Sequence, residues 1–203
     1  MPRELVGAMI TPTMSSPARK LPTFDELYRQ IEQLPHHITG QILEPGVLVT
    51  MSRPGAAHEH SHSMIGDWLR SFDVHRRGVG WWIRREYEIR MLGDRLVVPD
   101  YAGWRVERVP KLPNDNPMTL VPDWCCEVLS PSTAKVDRML KLPIYATAGV
   151  VWVWIVDPEL RTVEVFESVD GRATRVAGAH DDERIALPPF GAEVVLAEWW
   201  LED

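Results

Sequence analysis

Cysteine is scarce in this chain of 203 residues: there are two, and they are neighbours, Cys125 and Cys126. Adjacent cysteines rarely pair with each other, so a disulfide framework is excluded and a reducing, cytoplasmic setting is expected. Long apolar runs are also missing. The longest, Val150 to Val156, falls far short of the roughly 20 residues a membrane span needs, so no membrane partner is expected. Met1 to Lys20 holds no apolar stretch of the secretory type. Excess positive charge is absent too: 22 Lys and Arg against 29 Asp and Glu give a net charge of −7. An acidic chain suits non-specific nucleic-acid binding poorly, because that binding runs on phosphate neutralisation; only a local basic groove would serve. No internal repeat and no low-complexity segment occurs.

What is present is globular: 45% of the residues are hydrophobic and 25% charged. The length corresponds to one domain, and a chain of this size folds without covalent staples. Residues 1–21, with scattered prolines and Ser15-Ser16, read as a mobile tail, and residues 22–203 as a single domain. Thr23 and Glu26 form a capping box for a first helix that ends before Pro35. Gln41 to Met51 reads as a hairpin turning at Glu44-Pro45-Gly46. Met64, Ile65, Trp68, Leu69 and Phe72 have helical spacing and place a second helix within His58 to Arg77. Trp81 to Met91 and Arg95 to Trp104 read as one hairpin about Gly93-Asp94. The proline-rich stretch Val106 to Pro122 is a loop. Trp124 to Leu129 and Val150 to Val156 read as buried strands, joined by a helix over Ala134 to Ala148 with Gly149 as its stop. Further strands are expected at Arg161 to Glu167, Ala173 to Ala177 and Arg184 to Leu187. A final element over Glu193 to Leu201 docks Trp199 or Trp200. The order gives an α/β (α+β) fold, a mixed central sheet flanked by helices with extra C-terminal strands.

Chemistry is suggested by polar groups inside apolar strands. A lone carboxylate there is costly unless it is paired or binds a metal. Glu127 stands within Trp124-Cys125-Cys126-Glu127-Val128-Leu129, and Asp100 closes Val97-Val98-Pro99-Asp100. Carboxylates on neighbouring strands make an oxygen-rich site for a hard cation such as Mg²⁺. A lysine beside them could orient water or stabilise developing charge.

Several segments carry a resemblance: Val98-Pro99-Asp100, Val121-Pro122-Asp123, Glu127-Val128-Leu129-Ser130-Pro131-Ser132-Thr133, Asp137-Arg138, Lys141-Leu142-Pro143-Ile144-Tyr145-Ala146, Ala148-Gly149-Val150 and Trp154-Ile155-Val156-Asp157. Together they resemble the bacterial Uma-two family, restriction-endonuclease-like proteins of the PD-(D/E)XK nuclease superfamily, over about Thr23 to Glu198. The resemblance implies a core of order αβββαβ and a divalent cation, Mg or Mn, held by Asp100 and Glu127. The lysine two residues after Glu127 is replaced by Leu129, and the resemblance implies that Lys141 on the following helix takes that role. It also implies supporting work for Ser130, Ser132, Thr133, Asp137, Arg138 and Tyr145. On the first hairpin strand, where members often carry glutamate, this chain has Gln41, which can ligate through its amide oxygen but brings no charge.

Each signal has a plainer reading. Asp100 could close a turn, Glu127 could pair with Arg138, and Lys141 could be a solvated helix residue. His58-Glu59-His60-Ser61-His62 invites a zinc site but reads better as a polar loop entering the second helix, with His60 or His62 at the edge of a cleft. His75-Arg76-Arg77 and Arg84-Arg85 read as solvated surface or as a phosphate-contacting rim. Trp81, Trp82, Trp152 and Trp154 read as core or subunit interface. Three functions follow. The first is a metal-dependent DNA endonuclease, expected as a homodimer. The second is a catalytically weak or inactive nuclease-fold module that binds nucleic acid or a protein. The third is a zinc hydrolase built on the histidine cluster.

Overall fold

The computed structural model describes residues 20–51 and 55–202. The expected tail, residues 1–21, lies almost entirely outside them. Helix α1 (Phe24–Ile31) starts at the capping box: Thr23 Oγ1 accepts from Glu26 N, and the Glu26 carboxylate accepts from Thr23 N at 2.8 Å. Its buried side, Phe24, Leu27 and Ile31, packs on Ile42 and Leu96 of a small antiparallel sheet. That sheet has strands β1 (Thr39–Glu44), β2 (Val47–Met51), β4 (Ile89–Met91) and β5 (Arg95–Val97), in the order β2-β1-β5-β4.

The central sheet has six strands: β3 (Trp81–Arg85), β6 (Tyr101–Arg105), β7 (Trp124–Val128), β8 (Trp152–Asp157), β9 (Thr162–Val169) and β10 (Arg172–His180). Their order is β10-β9-β8-β7-β6-β3, antiparallel except for the β7–β8 pair. The parallel pair requires a crossover, which helices α3 (Ala134–Val136) and α4 (Leu142–Ala148) supply, with a π-helical turn at Asp137–Lys141 between them. Gly149 closes α4 at φ 91°, a left-handed conformation suited to glycine.

Helix α2 (Ala56–Trp68) covers the other face. It buries Ile65 and, just past its end, Leu69 against Trp124, Cys126, Val128 and Trp154. The α4 side buries Leu142 and Tyr145 against Cys125, Leu129, Val153 and Ile155. The alternation along β7 is therefore what sends Glu127 toward α3 and α4. A short C-terminal pair, β11 (Arg184–Ala186) and β12 (Glu193–Val195), leads into a turn that buries Trp199. Trp81 and Trp154 are core, while Trp82 and Trp152 are half-buried.

Two expectations change. The segment His58 to His62 is helical, not a loop, and α2 ends at Trp68. Single 3₁₀ turns follow at Leu69–Ser71 and Val74–Arg76, the second capped by Asp73. The hairpin about Gly93-Asp94 is divided between two sheets. Its outer ends, β3 and β6, pair in the central sheet; its tip, β4 and β5, pairs in the small one. Glu86, at φ 45°, turns one arm, and Val98-Pro99-Asp100 breaks the other, where proline has no N–H for a ladder.

Candidate active site

The divided hairpin opens a cavity of about 80 Å³ lined by Gln41, His58, Glu86, Val98, Asp100, Glu127, Asp137 and Lys141, among others. Val98 N, freed from the ladder, donates to Gln41 Oε1 at 3.0 Å. The Gln41 amide nitrogen contacts Met51 Sδ at 3.2 Å. Asp100 Oδ2 accepts from Val128 N at 2.7 Å, and Asp100 Oδ1 lies 3.2 Å from His58 Nε2. Across the cavity, Lys141 Nζ stands 3.0 Å from both Glu127 Oε2 and Asp137 Oδ1 and 3.4 Å from Val98 O. The Tyr145 hydroxyl donates to Glu127 Oε1. Asp137, Lys141 and Tyr145 are four residues apart along the crossover, so they share one side of it. The π-helical turn between the first two widens the helix at this point, a distortion that recurs at functional sites.

The charges are deeply placed: Glu127, Asp137 and Lys141 are 1%, 2% and 3% exposed. Burial disfavours the Lys141 ammonium, but Glu127, Asp137 and Asp100 outweigh it and keep the group protonated. Burial pushes Glu127 up to about 8, against the attraction of Lys141, with Asp137 and Asp100 adding to the rise. Burial also opposes ionisation of Asp100. The His58 hydrogen bond, the Lys141 charge and the Val128 N–H reverse that and hold its carboxyl below the usual range. His58 mirrors this: burial lowers it, and Asp100 more than restores it, so it lies above an ordinary histidine. Glu127 and Asp137 thus bracket one ammonium, Asp100 lies near enough to favour its charge, and Glu127 holds its proton up to about pH 8 in this low-dielectric pocket.

The structure brings together Asp100, Glu127, Lys141, Gln41, Ser130, Thr133, Asp137 and Tyr145. Ser130 and Thr133 share a hydroxyl network with Ser132 at the start of α3. Arg138 stands apart. It is one position from Asp137, turned about 100° around the helix, and pairs with Glu164 on β9 and, at 3.9 Å, with Asp157. The alternative pairing of Glu127 with Arg138 is therefore not formed. His58 is the side chain that sequence reasoning assigned to a polar loop and did not place beside Asp100. The signal was there: extending the Ile65 and Leu69 spacing backward puts His58, Ser61 and His62 on the buried side of α2.

The model of the Uma2 family, whose description is "Putative restriction endonuclease", matches residues 25–197. The chain belongs to the Uma2 family. A crystal structure described as "a putative nuclease belonging to DUF820", from Anabaena variabilis, superposes with a TM-score of 0.68 at 21% identity. The superposition covers 88% of this chain and 97% of that one, and it shows a shared nuclease fold. A search of curated proteins returns no match. As a Uma2 protein the chain retains the mixed α/β architecture, with α2, β3, β6, β7, the crossover and β8 reproducing the expected αβββαβ order.

Among the described residues, no three His, Cys, Asp or Glu side chains form a ready-made metal cage. His58 and His62 stack with ring centroids 5.8 Å apart, but His58 Nε2 faces Asp100 and His62 Nδ1 faces Arg85 Nη2 at 3.1 Å. That arrangement gives zinc no cage. Asp100 and Glu127, which both line the small cavity, do fit Mg²⁺ or Mn²⁺, whose charge would favour the ionised form of Glu127. Mg²⁺ commonly takes one or two carboxylates and fills its remaining positions with water and substrate phosphate. No helix among the described residues is long and apolar enough to cross a membrane.

Proposed function

We propose that this Uma2 protein is a metal-dependent DNA endonuclease that hydrolyses phosphodiester bonds. One observation carries the reading: Asp100, Glu127 and Lys141 line one cavity, with the buried Lys141 ammonium held between Glu127 and Asp137. Asp100 and Glu127 would hold the divalent cation. When bound, that ion supplies Lewis-acid stabilisation of charge developing on the phosphoryl group. Lys141, kept protonated by its three acidic neighbours, cannot act as a base. It donates hydrogen bonds, orienting the attacking water or stabilising the phosphoryl oxygens as charge builds. Asp137 and Tyr145 position it: one holds the ammonium, the other the far oxygen of Glu127. His58 and the Val128 N–H fix the Asp100 carboxylate. The water oxygen bonds to phosphorus and sheds a proton to solvent, one phosphorus–oxygen ester bond breaks, and the departing oxygen takes up a proton from solvent.

The proposal places the protein in the cytoplasm, where its two buried, unpaired thiols stay reduced. As a homodimer it would offer one such site to each strand of a duplex. Gln41 favours the second reading, a non-cutting binding module, because its amide oxygen is bonded to Val98 N and brings no charge.

Supercoiled plasmid incubated with untagged protein and Mg²⁺, then Mn²⁺, separates the two. The control is Asp100→Asn, which keeps an oxygen acceptor for Val128 N. Wild type should cut, and the variant should be at least about a hundredfold slower, a loss of about 2.7 kcal/mol. Equal cutting by pure variant would overturn the proposal; no cutting by wild type would favour the binding module.

A further inference from the structure

A second cavity, of about 90 Å³, lies alongside the first and is lined by Gly66, Arg70, Asp73, Arg76, Arg85 and Tyr101, among others. We propose that it binds a backbone phosphate of the same DNA strand that enters the acidic site. The inference rests on the nuclease reading and specifies where the substrate extends.

Arg85 is held in place although exposed. Its Nη2 donates to His62 Nδ1 at 3.1 Å, and its guanidinium carbon lies 5.3 Å from the centre of the Tyr101 ring. Gly66 makes room for this. A Cβ at that position would stand 2.5 Å from Tyr101 Oη and 3.1 Å from Arg85 Nη2. Neither Arg85 nor Arg76 has a carboxylate partner among the described residues. The nearby acids are engaged: Asp67 pairs with Arg70 at 3.1 Å, and Asp73 Oδ1 accepts from the backbone of His75 and Ile83. A guanidinium pre-set in this way matches the paired oxygens of a phosphate, which it can grip with two hydrogen bonds.

Location and charge point to a polymer rather than a free anion. Residues 70–85 contain five arginines and one aspartate in a chain whose net charge is −7, and three of the five, Arg70, Arg76 and Arg85, line the cavity beside Asp67 and Asp73. A chain that repels a polyanion overall needs such a concentrated patch to receive one. The two cavities share a wall: Arg85 and Tyr101 line one, and their neighbours Glu86 and Asp100 line the other. His58 at the first and Gly66 at the second are eight residues apart on α2, about 12 Å at the helical rise. That is about three to four base-pair steps of duplex. The pocket would therefore grip a phosphate a few nucleotides from the scissile bond.

Binding of a fluorescein-labelled 20-base-pair duplex, followed by anisotropy with EDTA and again with Ca²⁺, tests this without cleavage. The combined Arg76→Gln and Arg85→Gln variant should bind about tenfold more weakly, with a salt slope shallower by about one to two. Arg172→Gln, at the opposite edge of the central sheet on exposed β10, should bind as wild type does. Near-ultraviolet circular dichroism checks that the variants are folded. Unchanged affinity and slope in the double variant, or an equal loss in Arg172→Gln, would overturn the proposal. So would a wild type that binds no duplex at low salt. A wild type that binds but does not cut with Mg²⁺ or Mn²⁺ removes the nuclease reading and leaves the pocket standing.

Discussion

The two cavities beside α2 handle charge in opposite ways. In the acidic one, Glu127, Asp137 and Lys141 are almost fully buried and bonded to one another. In the basic one, Arg70, Arg76 and Arg85 remain exposed, Arg85 braced by His62 and Tyr101 and Arg70 by Asp67. Buried charge is costly and is kept only where every partner is in place, so it fixes geometry at close range. Exposed charge costs the fold little and acts through solvent over roughly a Debye length, about 10 Å at ordinary salt. The first arrangement suits holding reacting atoms. The second suits gathering a charged polymer and presenting it.

The sharpest way to break this comparison is to take the ammonium away. Lys141→Met leaves Glu127 and Asp137 without the cation they share and should cost about 3–5 kcal/mol, read as a lower urea midpoint. A variant as stable as wild type would show that the buried cluster is not held together by Lys141. Next comes pH. Glu127 binds its proton more tightly folded, near 8, than unfolded, near 4.5, so its protonation favours the native state. That contribution is complete at low pH and is lost as pH rises through about 8. Glu127→Gln, which carries no charge at any pH, should therefore gain on wild type by up to a few kcal/mol between about pH 5 and 9. Parallel thermal melts across that range check it, and a constant difference would sink it. The smallest effect belongs to the basic cavity. Arg76→Gln should change stability by less than about 0.5 kcal/mol, because no carboxylate among the described residues pairs with it. A larger loss in the same melts would mean that the patch is structural.

Parts of this arrangement were legible in the sequence for definite physical reasons. Glu127 stood out because a carboxylate amid Trp, Cys and Val needs a partner. Asp137, Lys141 and Tyr145 entered through the resemblance alone, although their four-residue spacing puts them on one side of a helix. The capping box at Thr23 and the glycine stop at Gly149 were local signals that the fold kept. What could not be read was non-local. The hairpin at Gly93 has strand character along both arms, and nothing in its alternation says that its two ends pair in different sheets. The helical run of His58 to His62 was hidden because histidine is polar enough to pass for loop. Arg138 was misplaced because being next to a cavity-lining residue in sequence means facing elsewhere on a helix.

The divided hairpin has one more consequence. Most strand amides are locked by neighbouring backbone, and they open only when the sheet does. Val98 N and Val128 N are locked instead by the side chains of Gln41 and Asp100. Their exchange with solvent deuterium is therefore set by how those two side chains are engaged, not by the global unfolding of the sheet. The cavity carries two built-in reporters of its own state, placed in the main chain and readable without any label.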